Sequence, residues 1–372
     1  MRFALTAEQL DFAASLRKMS EAAKTPGVVR AWGAGDPAAG RALINQLAEA
    51  GALGLTISED NGGFGAGPLE LIVAFTEIGR AAAPGPLVET AAAIPALLQA
   101  LPDSAAAVEW LPQFAEGTKL GTLAVATTTG RPGTDDPPGE THTGTAESSV
   151  GAISALAASG VPVALDADIA DLILLAEGDR VSIASVGDQA KSIDAARRLF
   201  SVSAGDVLAE GEGVAEAVEK AFDTGALAAA AQLLGAGRAL LDTSVDYVKQ
   251  RHQFGKPIGQ YQAIKHHLAN VLIGLDMAQP LLYRAALTLQ DDADAQTRAR
   301  DISAAKLACG EAAYQAARTA LQVHGAIGYT AECDLSLWLT KVTAIRSAWG
   351  TPAFHRARIA TALRAPSPGA AA

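Results

Sequence analysis

The chain has 372 residues, 49% of them apolar, and a formal net charge of −11. That length and apolar share describe a globular chain of two or three domains with a sizeable core, and exclude a disordered polymer. The acidic balance argues against nucleic acid or an anionic membrane as partner, so an anionic ligand needs a local cluster of cations or backbone N–H groups.

In chain order, residues 1–118 read as a helical domain. Thr6-Ala-Glu-Gln9 is a capping-box pattern that opens a first helix. Residues 38–52 carry apolar positions at helical spacing and stop at Gly51 and Gly54. Asp60-Asn-Gly-Gly63 forces a turn, and Pro68 suits the first position of the next helix. Pro84 and Pro86 close that helix, and another apolar helix is expected over residues 88–101.

Character changes near Leu120. The run 121–129, GTLAVATTT, mixes small, branched and Thr residues as a strand does. Residues 130–139 are rich in Pro, Gly and Asp and read as loop. Short β segments follow at 161–165, 171–176 and 181–186, so 119–212 is expected to be a β domain. From 213 to 372 long helical patterns return, over 213–250, 260–290, 297–324 and from about 332, as in a helix bundle. The expected class is α+β in the order helical, β, helical.

Two cysteines, Cys309 and Cys333, stand apart from any CxxC or Cys/His grouping. They predict neither a metal site nor a disulfide framework and suit a cytoplasmic setting. The segment MRFALTAEQLDF lacks the basic-then-apolar pattern of a signal peptide, and no run reaches about 18 uninterrupted apolar residues.

The richest stretch is Arg251-His-Gln-Phe-Gly-Lys-Pro-Ile258, between two helical patterns. Arg251 is a fixed cation at a helix end and can donate two parallel hydrogen bonds to a phosphate. Gln253 can bond a sugar or phosphate oxygen, Phe254 offers an aromatic face and Gly255 admits close backbone approach. A second element, Gln322-Val-His-Gly-Ala-Ile-Gly-Tyr329, breaks a long helix with Gly325 and Gly328, which suits either a ligand loop or a simple helix cap. His324 reads equally as a cofactor-loop residue or a cap. His266 and His267 read as solvated, and Glu332 and Asp334 as ion-pair partners of a neighbouring helix.

The stretch 54–84, the run RHQFGKPIGQYQAIKHHLAN and the run QVHGAIGYTAE together resemble the acyl-CoA dehydrogenases, over nearly the whole chain. The resemblance implies an N-terminal helical domain, a middle β domain and a C-terminal four-helix bundle. It implies FAD as cofactor, with its adenosine end reaching a paired subunit. Arg251, Gln253 and Phe254 would then touch FAD, Gln322 and Gly325 its pyrophosphate and adenosine region, and Thr351 the flavin. It also implies acyl-CoA as substrate, a homo- or hetero-oligomer, and an electron-transfer flavoprotein as acceptor.

The reaction implied is α,β-dehydrogenation, in which a carboxylate removes a weakly acidic α-proton. In the family that carboxylate is a Glu at one of two places. Here the first, before Gly350-Thr351, is Trp349, and the second, in the first bundle helix, is Gly225. Asp223 is the nearest acidic residue, two positions from Gly225 and so on another helix face. The family's flavin loop survives only as Thr128 and the Gly-Thr134-Asp remnant, and its aromatic-x-Thr strand reads Val163-Ala-Leu-Asp166. The expectation is a Glu-lacking subunit of a hetero-oligomeric (α2β2) acyl-CoA dehydrogenase of the kind acting on bulky esters such as steroid side chains. The alternatives are a self-sufficient enzyme with a relocated base, Asp223 first, a scaffold subunit without flavin, and a flavin monooxygenase on the same fold.

Overall fold

A computed structural model of the chain describes residues 4–102, 105–126, 161–330 and 332–364. Six helices come first: α1 (Ala7–Ala22), α2 (Thr25–Gly33), α3 (Ala38–Glu49), α4 (Pro68–Arg80), α5 (Ile94–Ala100) and α6 (Ala105–Ala115). The capping box at Thr6 forms, with Gln9 N donating to Thr6 Oγ1 at 3.2 Å and Thr6 N donating to Gln9 Oε1 at 2.9 Å. Pro68 opens α4, and Glu70 caps it by accepting from Gly67 N. The single helix expected over 88–101 is instead a π-helical turn, Glu89–Ala93, running into α5.

The sheet follows: β1 (Gly121–Ala126), β2 (Val163–Leu165), β3 (Leu172–Glu177), β4 (Arg180–Ala190) and β5 (Leu199–Glu210), in spatial order β1-β3-β4-β5-β2. Among the described residues β1 and β3 pair in parallel, and the other ladders of this sheet are antiparallel. β5 was not expected. Its Ser, Ala, Gly and Asp residues break the apolar alternation, and bulges in its pairing with β4 disturb the register.

The chain ends in helices α7 (Val214–Gln250), α8 (Gln262–Gln290), α9 (Ala295–His324), α10 (Leu335–Ser347) and α11 (Pro352–Arg364). The last pattern, read as one helix from 332, is two, parted by the Ala348–Thr351 segment. α9 packs on α7, α8 and α11, which makes the bundle. α7 is apolar and long enough to cross a membrane, yet it is the core helix, with 94% of its most apolar window buried.

Small residues let α7 press on the first helices. A Cβ on Gly79 would meet Gln232 O at 2.1 Å, and one on Gly235 would meet Thr76 O at 1.8 Å. The α4–α7 crossing therefore brings backbone against backbone, which no side chain at either position allows. Lys341 and Trp338 of α10 then close the end of α4, donating to Ala83 O and Arg80 O. This packing carries the C-terminal segment that follows α10 onto α7.

Candidate functional site: a cleft at Arg251 and a closed pocket at Trp349

α7 ends at Arg251, whose φ of −76° and ψ of 118° turn the chain out of the helix. His252–Gln253 pairs with Lys256–Pro257 as a two-stranded ribbon. Its two-residue turn, Phe254-Gly255, has φ of +52° and +80° at the two positions, as a tight hairpin turn requires. Ile258 N donates back to Arg251 O at 2.8 Å and closes the loop.

The loop forms one wall of a cleft of about 390 Å³. Arg251, Gln253 and Ile258 line it from one side, and Gln322, His324 and Gly325 from the end of α9. Tyr247 and His324 stack at 4.2 Å with their planes 20° apart, giving the cleft an aromatic wall. Burial lowers the His324 pKa, against the bond from its Nδ1 side to Ala320 O. Gly325 has φ of +65° and ψ of −142°, a conformation reserved for glycine. The Arg251 guanidinium has no carboxylate partner among the described residues. A phosphate oxygen and a flat heterocycle both fit this donor set: an open cation, two amides and a stacked aromatic pair.

Four of the expected contacts, Arg251, Gln253, Gln322 and Gly325, thus meet at one place. Phe254 does not join them. It sits at the positive-φ turn, is 91% exposed and does not line the cleft. Thr351 lies elsewhere, accepting from Phe354 N at 3.2 Å at the start of α11. Thr128 and Thr134 fall outside the described residues.

Gly225 and Trp349, the two places read for a base, touch. Ring atoms Cε3 and Cζ3 of Trp349 lie 2.6 Å from where a Cβ on Gly225 would be. Phe222 lies 6.0 Å from the indole. Asp223 points elsewhere and is fully buried between two guanidinium groups. Arg298 Nε donates to it at 2.9 Å, and Arg358 Nη1 donates to its other oxygen. A carboxylate bonded at both oxygens by two arginines is spent on that triad.

Three residues that no motif singles out lie around Trp349 and the segment before it. Glu89 is 4% exposed and lies near the Trp349 indole N–H. Burial pushes its carboxyl up, against the pull of Arg197 and of that N–H, and its Oε2 has no partner. His355 contacts Trp349 O at 2.9 Å through Nε2 and Ser303 Oγ at 3.1 Å through Nδ1. Lys306 is held by burial to a pKa of about 7 and donates to Ile345 O and Arg346 O.

Asp166, at the end of the strand read as flavin-covering, is fully buried with φ of +49°. It accepts from Trp32 Nε1 at 3.2 Å and from Arg198 Nε at 3.3 Å. Burial lifts its pKa to about 6 against those bonds. Asp334 pairs with Arg30 at 2.6 Å, while His266 and His267 are exposed.

Models of the acyl-CoA dehydrogenase N-terminal domain and C-terminal domain match residues 6–118 and 211–364. The chain belongs to the acyl-CoA dehydrogenase family. FAD is the cofactor of this family. Acyl-CoA dehydrogenase IpdE2 of Mycolicibacterium smegmatis is 29% identical over 85% of this chain and 85% of its own length. Acyl-CoA dehydrogenase FadE34 of Mycobacterium tuberculosis is 33% identical over 84% of this chain, which spans 40% of that protein. Among solved structures, the ChsE4-ChsE5 complex from Mycobacterium tuberculosis shares the fold at a TM-score of 0.77, with 20% identity, over 99% of this chain and 100% of that one. The Tcur3481-Tcur3483 steroid ACAD shares it at 0.76, with 21% identity, over 96% of this chain and 97% of that one.

Proposed function

We propose that this chain is a subunit of an FAD-dependent acyl-CoA dehydrogenase that completes the FAD site of a homologous partner and lacks the carboxylate that takes the α-proton. The observation that carries this reading is the contrast between two places in one chain. The Arg251 cleft is open, with a guanidinium that pairs with no carboxylate among the described residues, two amides and a stacked aromatic pair. The base positions are closed, an indole seated on a glycine. FAD, when bound, accepts the β-hydride. Arg251 would hold its pyrophosphate, with Gln253 and Gln322 on the adjoining oxygens and Tyr247 and His324 beside the adenine.

A partner is supported by exposed apolar surface. Phe254, Ile327 and Tyr329 are 91%, 46% and 76% exposed, and Ile273, Met277 and Leu281 make an exposed stripe at helical spacing on α8. Two relatives in fold are named as two-component proteins, ChsE4-ChsE5 and Tcur3481-Tcur3483, and the second as a steroid ACAD. A bulky acyl-CoA thioester as substrate and an electron-transfer flavoprotein as acceptor follow from the same reading.

The test is a flavin count. The chain is co-produced with a candidate homologous partner chain, and bound flavin is measured against total chains. One flavin per two chains is the expected result. A chain that alone retains one flavin, and whose flavin is bleached by acyl-CoA, overturns the reading. In that case Glu89 is a better candidate than Asp223 for a relocated base, because its Oε2 is unpaired while both Asp223 oxygens are bonded. Loss of bleaching in Glu89→Gln would establish it.

A further inference from the structure

The Trp349 backbone has φ of +56°, a region that bulky residues seldom enter and hold only where the surroundings impose it. Here four elements impose it. From α11, His355 Nε2 donates to the Trp349 carbonyl, and its Nδ1 accepts from Ser303 of α9. Also from α9, Lys306 ties down the last carbonyls of α10, just before the segment. From the π-helical turn, Glu89 faces the indole N–H. From α7, Gly225 supplies the bare surface on which the ring lies. A π-helical turn is an uncommon feature that recurs at functional sites, and this one presents a buried carboxyl to a single indole.

The contact between positions 225 and 349 has a geometric meaning. Two alternative places for one base must both reach the same substrate carbon. That carbon would lie beside Gly225, in the space that the indole fills. We infer that Trp349 is a plug: seated on Gly225, it occupies this chain's own acyl-thioester site and excludes acyl-CoA from it. The inference rests on the subunit reading above and adds to it that substrate enters only the partner's site. Trp349 is on this account a specificity-determining residue.

The test counts substrate sites with a probe that cannot react, an S-alkyl coenzyme A thioether, titrated by calorimetry into the purified two-chain assembly. Wild type is expected to bind one thioether per pair of chains. Trp349→Ala is expected to bind two, while Trp349→Phe, which keeps a ring on Gly225, stays at one. Trp349→Leu, smaller but apolar, is also expected to open the site and covers the case in which Trp349→Ala fails to fold. Two thioethers per pair in wild type overturn the plug, as does a count of one in Trp349→Ala or Trp349→Leu with unchanged melting. The flavin count separates this failure from that of the subunit reading. One flavin per chain sinks the subunit reading, whereas half a flavin per chain with two thioethers per wild-type pair sinks the plug alone.

Discussion

The Trp349 indole occupies the space that a Cβ on Gly225 would need, with Cε3 and Cζ3 at 2.6 Å. Real side chains do not approach so closely, so even Ala at 225 must move the ring. Overpacking of this kind costs about 1–3 kcal/mol, and Gly225→Ala should lose that much. Adding Trp349→Ala should recover part of it, because the clash is then gone. A double-mutant cycle in urea should therefore show a coupling of about 0.5–3 kcal/mol. Additive costs would show that the two residues do not share one packing site.

Asp223 gives a second prediction, with opposite expectations for a base and for a structural ion. It accepts from Arg298, whose side chain is 7% exposed, and from Arg358. Asp223→Asn leaves the buried Arg298 charge with only the exposed Glu219 carboxylate at 4.0 Å, and breaking a buried pair in this way costs about 3–5 kcal/mol. The melting temperature should fall sharply. Turnover per folded assembly, measured well below the transition, should hold near wild type. A variant with unchanged melting and abolished turnover would restore Asp223 as the base.

What the sequence disclosed and what it hid divide along physical lines. Arg251, Gln253, Gln322 and Gly325 lie in two short motifs at helix ends, and helix breaks are written locally in Gly and Pro. The bundle then brings the motifs together, and the cleft was legible before the fold was known. Trp349 and Gly225 could be read only as two separate losses. That each explains the other, an indole needing a glycine, is a tertiary fact with no local signature. Glu89 was hidden for a similar reason. A lone carboxylate in an apolar run reads as surface, and nothing in VETAAAI marks a π-helical turn. The break between α10 and α11 was missed because the segment that makes it carries no Pro before Pro352.

His355 supplies a pH prediction. Burial, aided by the Lys306 charge, lowers its pKa to about 4, against the opposing bond to the Trp349 carbonyl. The unfolded chain binds this proton below about 6.5, whereas the folded chain refuses it until about 4. Between those values the unfolded state holds more protons, so stability is full above 6.5 and falls as pH drops. The loss reaches about 3 kcal/mol at pH 4, at 1.36 kcal/mol per pKa unit. His355→Gln cannot titrate, so the stability difference between the two proteins should shift by that amount across the window. Denaturant melts at pH 7, 5.5 and 4 provide the measurement. A difference independent of pH would mean that the imidazole is not held neutral.

Arg251 carries the last prediction, since the shared-cofactor reading leans on it most. An arginine that donates to a phosphate makes a charge-assisted bond worth about 1.5–3 kcal/mol. Arg251→Ala should therefore weaken flavin retention by the assembled protein by about 10- to 100-fold. Arg251→Lys keeps the charge but not the planar fork, and should fall between the two. Because the contact is ionic and Arg251 is exposed in the cleft, added salt should weaken flavin binding in wild type more than in Arg251→Ala. Equilibrium dialysis against FAD at two ionic strengths measures both effects. If Arg251→Ala held FAD as tightly as wild type, with the same salt response, the cleft would have to serve some other ligand. The exposed Arg251 guanidinium and the stacked Tyr247–His324 pair would then need a different explanation.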